Sequence, residues 1–251
     1  MNLQDIYNQL SYGELRLLFI GGDDIDDVNQ GMSTAQFTQL LPTIDLGLIA
    51  LYKRFCLKEG EFTLNLQTGQ STYALQHDYA QSNTASPASV KFIDDTAFPF
   101  TGELFKVERV YGTYLAEQYK VPINEIDNPL AVRTPSHNFL TLPTDTIKAP
   151  WLLETTALKV FYRTGHPKID SNVANIAPLV TDIELPATYL EALCFFIASR
   201  ISNPLGMQPG AQHEGNNYFQ RYEQECALLR QQNYEIDDFT DSDKFAARGF
   251  A

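Results

Sequence analysis

Residues 189–210 read YLEALCFFIASRISNPLGMQPG. From Tyr189 to Ile201 the stretch carries one carboxylate, Glu191, and one cation, Arg200, before it breaks into Asn, Pro and Gly. Leu190, Leu193, Cys194, Ile197 and Ile201 recur at helical spacing, while Tyr189, Phe195 and Phe196 spread apolar surface around much of the remaining circumference. A helix of this kind needs cover on several sides. Two arrangements supply it: a central place in its own bundle, or contact with neighbouring copies of the chain. The expectation is the second, with Tyr189 and Phe196 as partner-binding residues.

Beyond the SNPLGMQPG turn, AQHEGNNYFQRYEQECALLRQQNYE places Phe219, Tyr222, Cys226 and Leu229 on a second helical stripe, so 169–233 reads as a bridge followed by a two-helix hairpin. Upstream, Leu3, Ile6, Tyr7 and Leu10 predict a short amphipathic helix ending near Gly13. The LRLLFI patch and the acidic loop DDIDDVNQG follow. From Ser33 the pattern turns helical again, and its best segment, LLPTIDLGLIALYKRFCLKEG, Leu40 to Gly60, has Ile44, Leu48, Leu51 and Phe55 on one face. Pro42 suits its first turn, Lys53, Arg54 and Lys58 complement its negative end, and Gly60 stops it. Gly47 and Ala50 offer a small-residue approach for another helix or are merely small core residues.

Between these helical ends the period changes to two. Phe62, Leu64 and Leu66 alternate with polar residues, and Thr68-Gly69-Gln70 provides a turn before Tyr73 and Leu75, which predicts a hairpin. SVKFID, ELFKVERVYG, NFLTLPT and ALKVFYRTG continue the β pattern. The expected fold is α+β: a helical bundle built from N- and C-terminal segments, with a β-rich insertion between them. Its parts are 1–60, the β-rich 61–168, the helical 169–233 and a C-terminal arm, 234–251.

A formal net charge of −13 and a pI near 4.6 argue against unaided attraction to phosphate backbones or anionic membranes. No apolar run approaches membrane-spanning length, and the first residues lack a basic region followed by an apolar core, so no targeting to a membrane or export is expected. Cys56, Cys194 and Cys226 form an odd set without CxxC spacing, which suits a reduced, cytosolic chain with buried thiols.

Catalytic signatures are missing: there is no GxSxG, GxxxxGK[ST], HExxH or GxGxxG after a strand, and the residue three beyond Glu214 is Asn217 where a zinc helix needs His. His77, His137, His166 and His213 fall far apart in predicted loops or turns, which favours surface or hydrogen-bonding roles over metal binding. Asp23, Asp24, Asp26 and Asp27 lack the glycine and glutamate positions of an EF-hand and read as a solvated acidic loop. No catalytic residue, cofactor or metal is expected.

Three stretches carry a family resemblance: the LYKRF helix running into KEGEFTL, the Tyr-led helix ending ASRISNP, and the helix GNNYFQRYEQEC. In order and length they resemble the head-to-tail adaptor proteins of short-tailed bacteriophages, the tail tubular protein A type. The resemblance covers Pro42 to about Tyr79 and Leu185 to Asn233, and the middle of the β module only in kind. It implies a virion protein at the head-tail junction, made in the bacterial host cytoplasm. Such a protein forms a dodecameric ring, binds the portal protein and a tail nozzle of the tail tubular protein B type, and lies near the tail fibres. It extends the channel through which DNA passes without specific binding. In the arm, Phe239, Phe245 and Phe250 are candidate anchors and Arg248 a partner for an acid. Two rival readings are a carbohydrate-binding fibre-attachment module stacking sugars on Tyr111, Tyr114, Tyr119 and Trp151, and a phage hydrolase using an acidic pair.

Overall fold

The computed structural model describes residues 1–12, 34–114, 117–125, 127–136, 138–143, 155–169, 181–201 and 211–232. LRLLFI, the acidic loop at Asp23–Asp27, His137, Trp151, the SNPLGMQPG turn and the C-terminal arm lie outside them.

The protein is a mixed α+β chain with four α-helices and seven β-strands among the described residues. By internal contacts it divides into two compact units, one of Met1–Leu57 with His166–Ala251 and the other of Lys58–Gly165.

The first unit holds α1 (Leu3–Tyr12), α2 (Thr34–Arg54), α3 (Leu190–Ile201) and α4 (Ala211–Gln231). Helix α1 opens with a reciprocal cap. The Asn2 side-chain oxygen accepts from the Asp5 N–H at 3.0 Å, and the Asp5 carboxylate accepts from the Asn2 N–H at 2.8 Å, satisfying two donors that the first turn leaves unpaired. Leu3, Ile6 and Leu10 are buried. The backbone ahead of the helix is tied to a distant segment, with Ile183 N–H donating to Met1 C=O and Leu3 N–H to Thr181 C=O.

Helix α2 buries Ile44, Leu48 and Leu51, and Phe55 just past its end is buried with them, on the face that the sequence spacing predicts. It begins at Thr34, next to the expected start at Ser33, so Pro42 lies inside it instead of in a first turn and removes one amide donor, and it ends at Arg54 instead of at Gly60. Gly60 is a strand residue instead of a helix stop, and a Cβ there would come within 2.4 Å of the Tyr162 ring, so glycine suits its place in the strand. Gly47 does serve as an approach point. A Cβ there would lie 2.6 Å from the Leu193 δ1 carbon and 3.1 Å from the Phe196 ring, so the bare backbone lets α3 sit close against α2.

The second unit has β1 (Glu59–Asn65), β2 (Thr72–Ala74), β3 (Ile93–Asp94), β4 (Leu104–Tyr114), β5 (Glu117–Val121), β6 (Phe139–Thr141) and β7 (Ala157–Thr164). Five strands form an antiparallel sheet in the order β3-β1-β7-β4-β5, and β2 pairs with β6.

The expected β1–β2 hairpin does not form. Residues 67–70 make the turn, with Gln70 N–H donating to Gln67 C=O, but the positive φ of 82° falls on Gly69 at the third turn position. That is the type II pattern, whose twist splays the flanking strands, whereas two-residue hairpins favour turns with positive φ at the second position. The chain therefore turns a corner into a different sheet. Phe62, Leu64, Tyr73 and Leu75 are still all buried in one core, with Phe62 and Tyr162 at 5.3 Å and both 5.1–5.3 Å from Phe100.

Strand β4 reads KVERV in its middle, and strict alternation from Leu104 would point Lys106 and Glu108 into that core. Two register shifts against β7, between Leu104 and Lys106 and between Val107 and Arg109, prevent this. The bulges let Leu104, Val107 and Val110 face inward at a spacing of three.

Candidate contact surfaces

Helix α3 is buried without a break from Ala192 to Ser199 in a single copy of the chain. It packs against α1, α2 and α4. Tyr189 is 2% exposed and meets Phe55 edge-on at 5.0 Å; Phe196 is 5% exposed and meets Tyr222 at 5.4 Å, with the Arg200 guanidinium 5.1 Å from its ring. The expectation that adjoining copies shelter this helix is corrected accordingly. Its own chain covers it, because Gly47 admits it deeply against α2 and α4 closes the other side. Neither side chain is available as a surface anchor in this conformation. Phe219 is corrected as well: it is 42% exposed, since the buried face of α4 is the narrower stripe Tyr222, Cys226 and Leu229. The other four expected contact residues, Phe239, Phe245, Arg248 and Phe250, lie outside the described residues.

The basic end of α2 is committed to its own unit. Arg54 donates both guanidinium nitrogens to the Glu223 carboxylate, at 2.9 and 2.5 Å, and lies 5.5 Å from the Tyr222 ring centre. The hydrogen bond to Glu223 pushes Arg54 further up from its ordinary value, and the same bond holds the Glu223 carboxyl down. The Arg230 side chain donates to the Arg54 carbonyl and so serves a helix C-terminus whose carbonyls need partners.

His166 is buried in this unit, and its Nε2 accepts from the Glu184 N–H at 3.1 Å. Nδ1 therefore carries the proton and donates to the Pro167 carbonyl at 2.5 Å. Burial pushes the Cys194 thiol up to about 12, with the charge of Glu191 adding to it. That thiol is no nucleophile at neutral pH.

On the outer face of the five-stranded sheet three cations are likewise paired: Arg109 with Glu59 at 2.5 Å, Lys159 with Glu61 at 2.9 Å, and Arg163 with Glu108 at 2.9 Å. Arg109 and Lys159 also flank the Phe161 ring, at 5.1 and 4.9 Å from its centre. Tyr111 meets Phe161 on this face, whereas Tyr119 covers Gly112 on the opposite one, as the register Tyr111↔Lys120 and Gly112↔Tyr119 requires. Tyr111 and Tyr119 therefore do not share a stacking platform.

A loop of the second unit is fixed from within. Asp95 is 1% exposed, and its carboxylate accepts from the Phe100 N–H at 2.7 Å, the Ser82 N–H at 2.9 Å and the Ser82 hydroxyl at 2.5 Å. The His77 imidazole is bonded to the Phe100 carbonyl at 2.6 Å, and the Phe100 ring is fully buried against Phe62 and Tyr162. Asp94 ties the other end by accepting from the Thr96 N–H and hydroxyl. Between these anchors Phe98 stands 56% exposed.

Burial alone would raise the Asp95 carboxyl, but the bonds from Phe100 and Ser82 outweigh it and hold the group below its ordinary value. A carboxyl depressed in the folded state stabilises above its unfolded pKa, and that contribution is lost as pH falls through the folded value. Asp95→Asn is expected to cost about 1–3 kcal/mol at neutral pH, because its amide would face donors it cannot satisfy. Urea unfolding of both proteins should show the gap narrowing below about pH 4; a gap independent of pH would remove the carboxylate from this role.

A shallow groove in the first unit, about 530 Å³, is lined by Met1, Asp5, Asn8, Gln9, Tyr12, Ala187 and Leu190. Among the described residues no group of three or more His, Cys, Asp or Glu side chains is placed to hold a metal ion, and no helix is long and apolar enough to cross a membrane. No known family model matches the chain, and no curated protein sequence matches it. The acid clamp at Asp95 and the exposed Phe98 were not singled out by sequence reading; the run TAFPFTG, free of charge and centred on two aromatics, is a signal that could have found them.

Proposed function

We propose that this protein is a structural component of a short-tailed bacteriophage virion, a head-to-tail adaptor that works by contact and without catalysis. In this reading a helical bundle made from both ends of the chain docks on the portal, and the β-rich insertion faces the tail nozzle. Copies assemble into a ring around the DNA path, and the expected number is twelve. One observation carries the reading: α2, α3 and α4, the helices that hold the resembling stretches, come from opposite ends of the sequence and belong to one compact unit in which α3 packs on both others. The electrostatics support it as well. With a net charge of −13, and with Arg54, Arg109, Lys159 and Arg163 already bound to carboxylates, the chain offers little to hold a phosphate backbone, which suits a conduit that DNA must traverse.

Electron microscopy of the protein mixed with its cognate portal tests the proposal. The expected result is portal rings extended by one added layer of symmetric density. Bare portal rings at saturating protein would overturn it.

A further inference from the structure

Tyr12, 62% exposed, and Phe98, 56% exposed, are the two most exposed large apolar side chains among the described residues. They differ in setting. Phe98 projects from a loop whose ends are tied by Asp94, Asp95, His77 and the buried Phe100, and Pro99 restricts its backbone to extended conformations. Little conformational freedom remains to be lost when it inserts into a partner. Tyr12 borders the groove at the end of α1, where Leu190 adds a second apolar side chain and Asn8 and Gln9 add amides. The first is a knob and the second a hole.

Charge decides what the knob meets. Copies of a chain with net charge −13 repel one another, so any contact between them is favoured where charge is lowest. The stretches 79–90 and 96–102, which flank the short strand β3, contain no charged residue. The groove has one acidic side chain, Asp5, and its carboxylate already accepts from the Asn2 N–H. Lys91, beside the first surface, already donates its ammonium to the Gln81 and Asn83 carbonyls, and the Met1 ammonium at the groove donates to the Ile183 carbonyl, so among the described residues neither surface presents a cluster of cations to a nucleic acid or an anionic membrane.

We infer that Phe98 of one copy inserts beside Tyr12 and Leu190 in the groove of a second copy. The knob belongs to the β unit and the groove to the helical unit, so the contact is head-to-tail and leaves each copy with one knob and one groove to offer. Contacts of this kind build a ring when the rotation closes. The inference rests on the adaptor reading for its need that copies associate, and it adds the surfaces through which they do so.

Sedimentation equilibrium of the full chain provides the test. Wild-type association strengthens as salt rises, because screening relieves the general repulsion while an apolar contact is not weakened. Phe98→Ser and Tyr12→Ser each weaken association about tenfold or more, as expected for an anchor residue. Both side chains are exposed, and unchanged unfolding midpoints establish that the variants fold. An equimolar mixture of the two variants restores dimers and nothing larger, since it can form one intact knob-and-groove contact that cannot propagate. Wild type that stays monomeric at every salt concentration, variants that associate like wild type, or a mixture that restores nothing overturns the inference. The portal-binding experiment, run with wild type alone, judges the adaptor reading separately.

Discussion

Phe196→Ala lowers the unfolding free energy by about 3–5 kcal/mol, the cost of removing a buried aromatic side chain and leaving the space unfilled. The ring lies at the meeting point of three helices, against Tyr222 on α4, next to the bare backbone of Gly47 on α2, and beneath the Arg200 guanidinium. Collapse around the vacancy is limited because Leu193 already occupies the neighbouring space above Gly47. The loss is the same at every protein concentration, since the ring is buried within one copy and not between copies. Urea midpoints measured over a wide concentration range check this. A cost that shrinks on dilution, as the wild-type midpoint falls toward that of the variant, would return Phe196 to an interface.

The second large effect is expected at Phe100. Phe100→Ala removes the centre of the Phe62–Phe100–Tyr162 cluster, for about 3–5 kcal/mol, while leaving its backbone N–H and C=O to Asp95 and His77. Truncation therefore separates two roles that the native residue combines, filling the core and fixing the loop. Equilibrium unfolding gives the first. Hydrogen exchange at the Phe100 amide gives the second: protection reduced only in line with global stability means that Asp95 still holds the loop, and protection lost outright means that the ring was the anchor.

Helix identity was legible in the sequence wherever a face repeats every three or four residues. Ile44, Leu48, Leu51 and Phe55 needed no partner to be recognised, and the all-round apolar character of 189–201 correctly announced cover on several sides. What local pattern does not contain is the identity of the cover. Whether Phe196 meets Tyr222 of its own chain or a residue of another is settled by the space above Gly47. Strand pairing was hidden for the same reason. Phe62 and Tyr73 alternate correctly and are buried, but the strands diverge because a single positive φ falls at Gly69, one place later than a tight hairpin favours. β5 went unread because Glu117, Gln118 and Lys120 dilute its apolar signal. The contact residues fared least well. Tyr189 and Phe196 were chosen for their size, yet large apolar side chains are what a core takes first. Phe98 is a surface feature only because Asp95, itself an unremarkable acid in the sequence, is folded inside to hold the loop that carries it.

The division of the chain has a consequence during synthesis. Lys58–Gly165 is contiguous, so every residue it needs has left the ribosome before α3 and α4 emerge. The unit to which α1 and α2 belong has to wait for the final helix. Until then the apolar face of α2, from Ile44 to Phe55, has none of its eventual neighbours from α3 or α4. The unit that holds the sheet is thus complete first although the helical unit begins first, and the newborn chain passes through an interval in which the apolar face of α2 lacks its final cover.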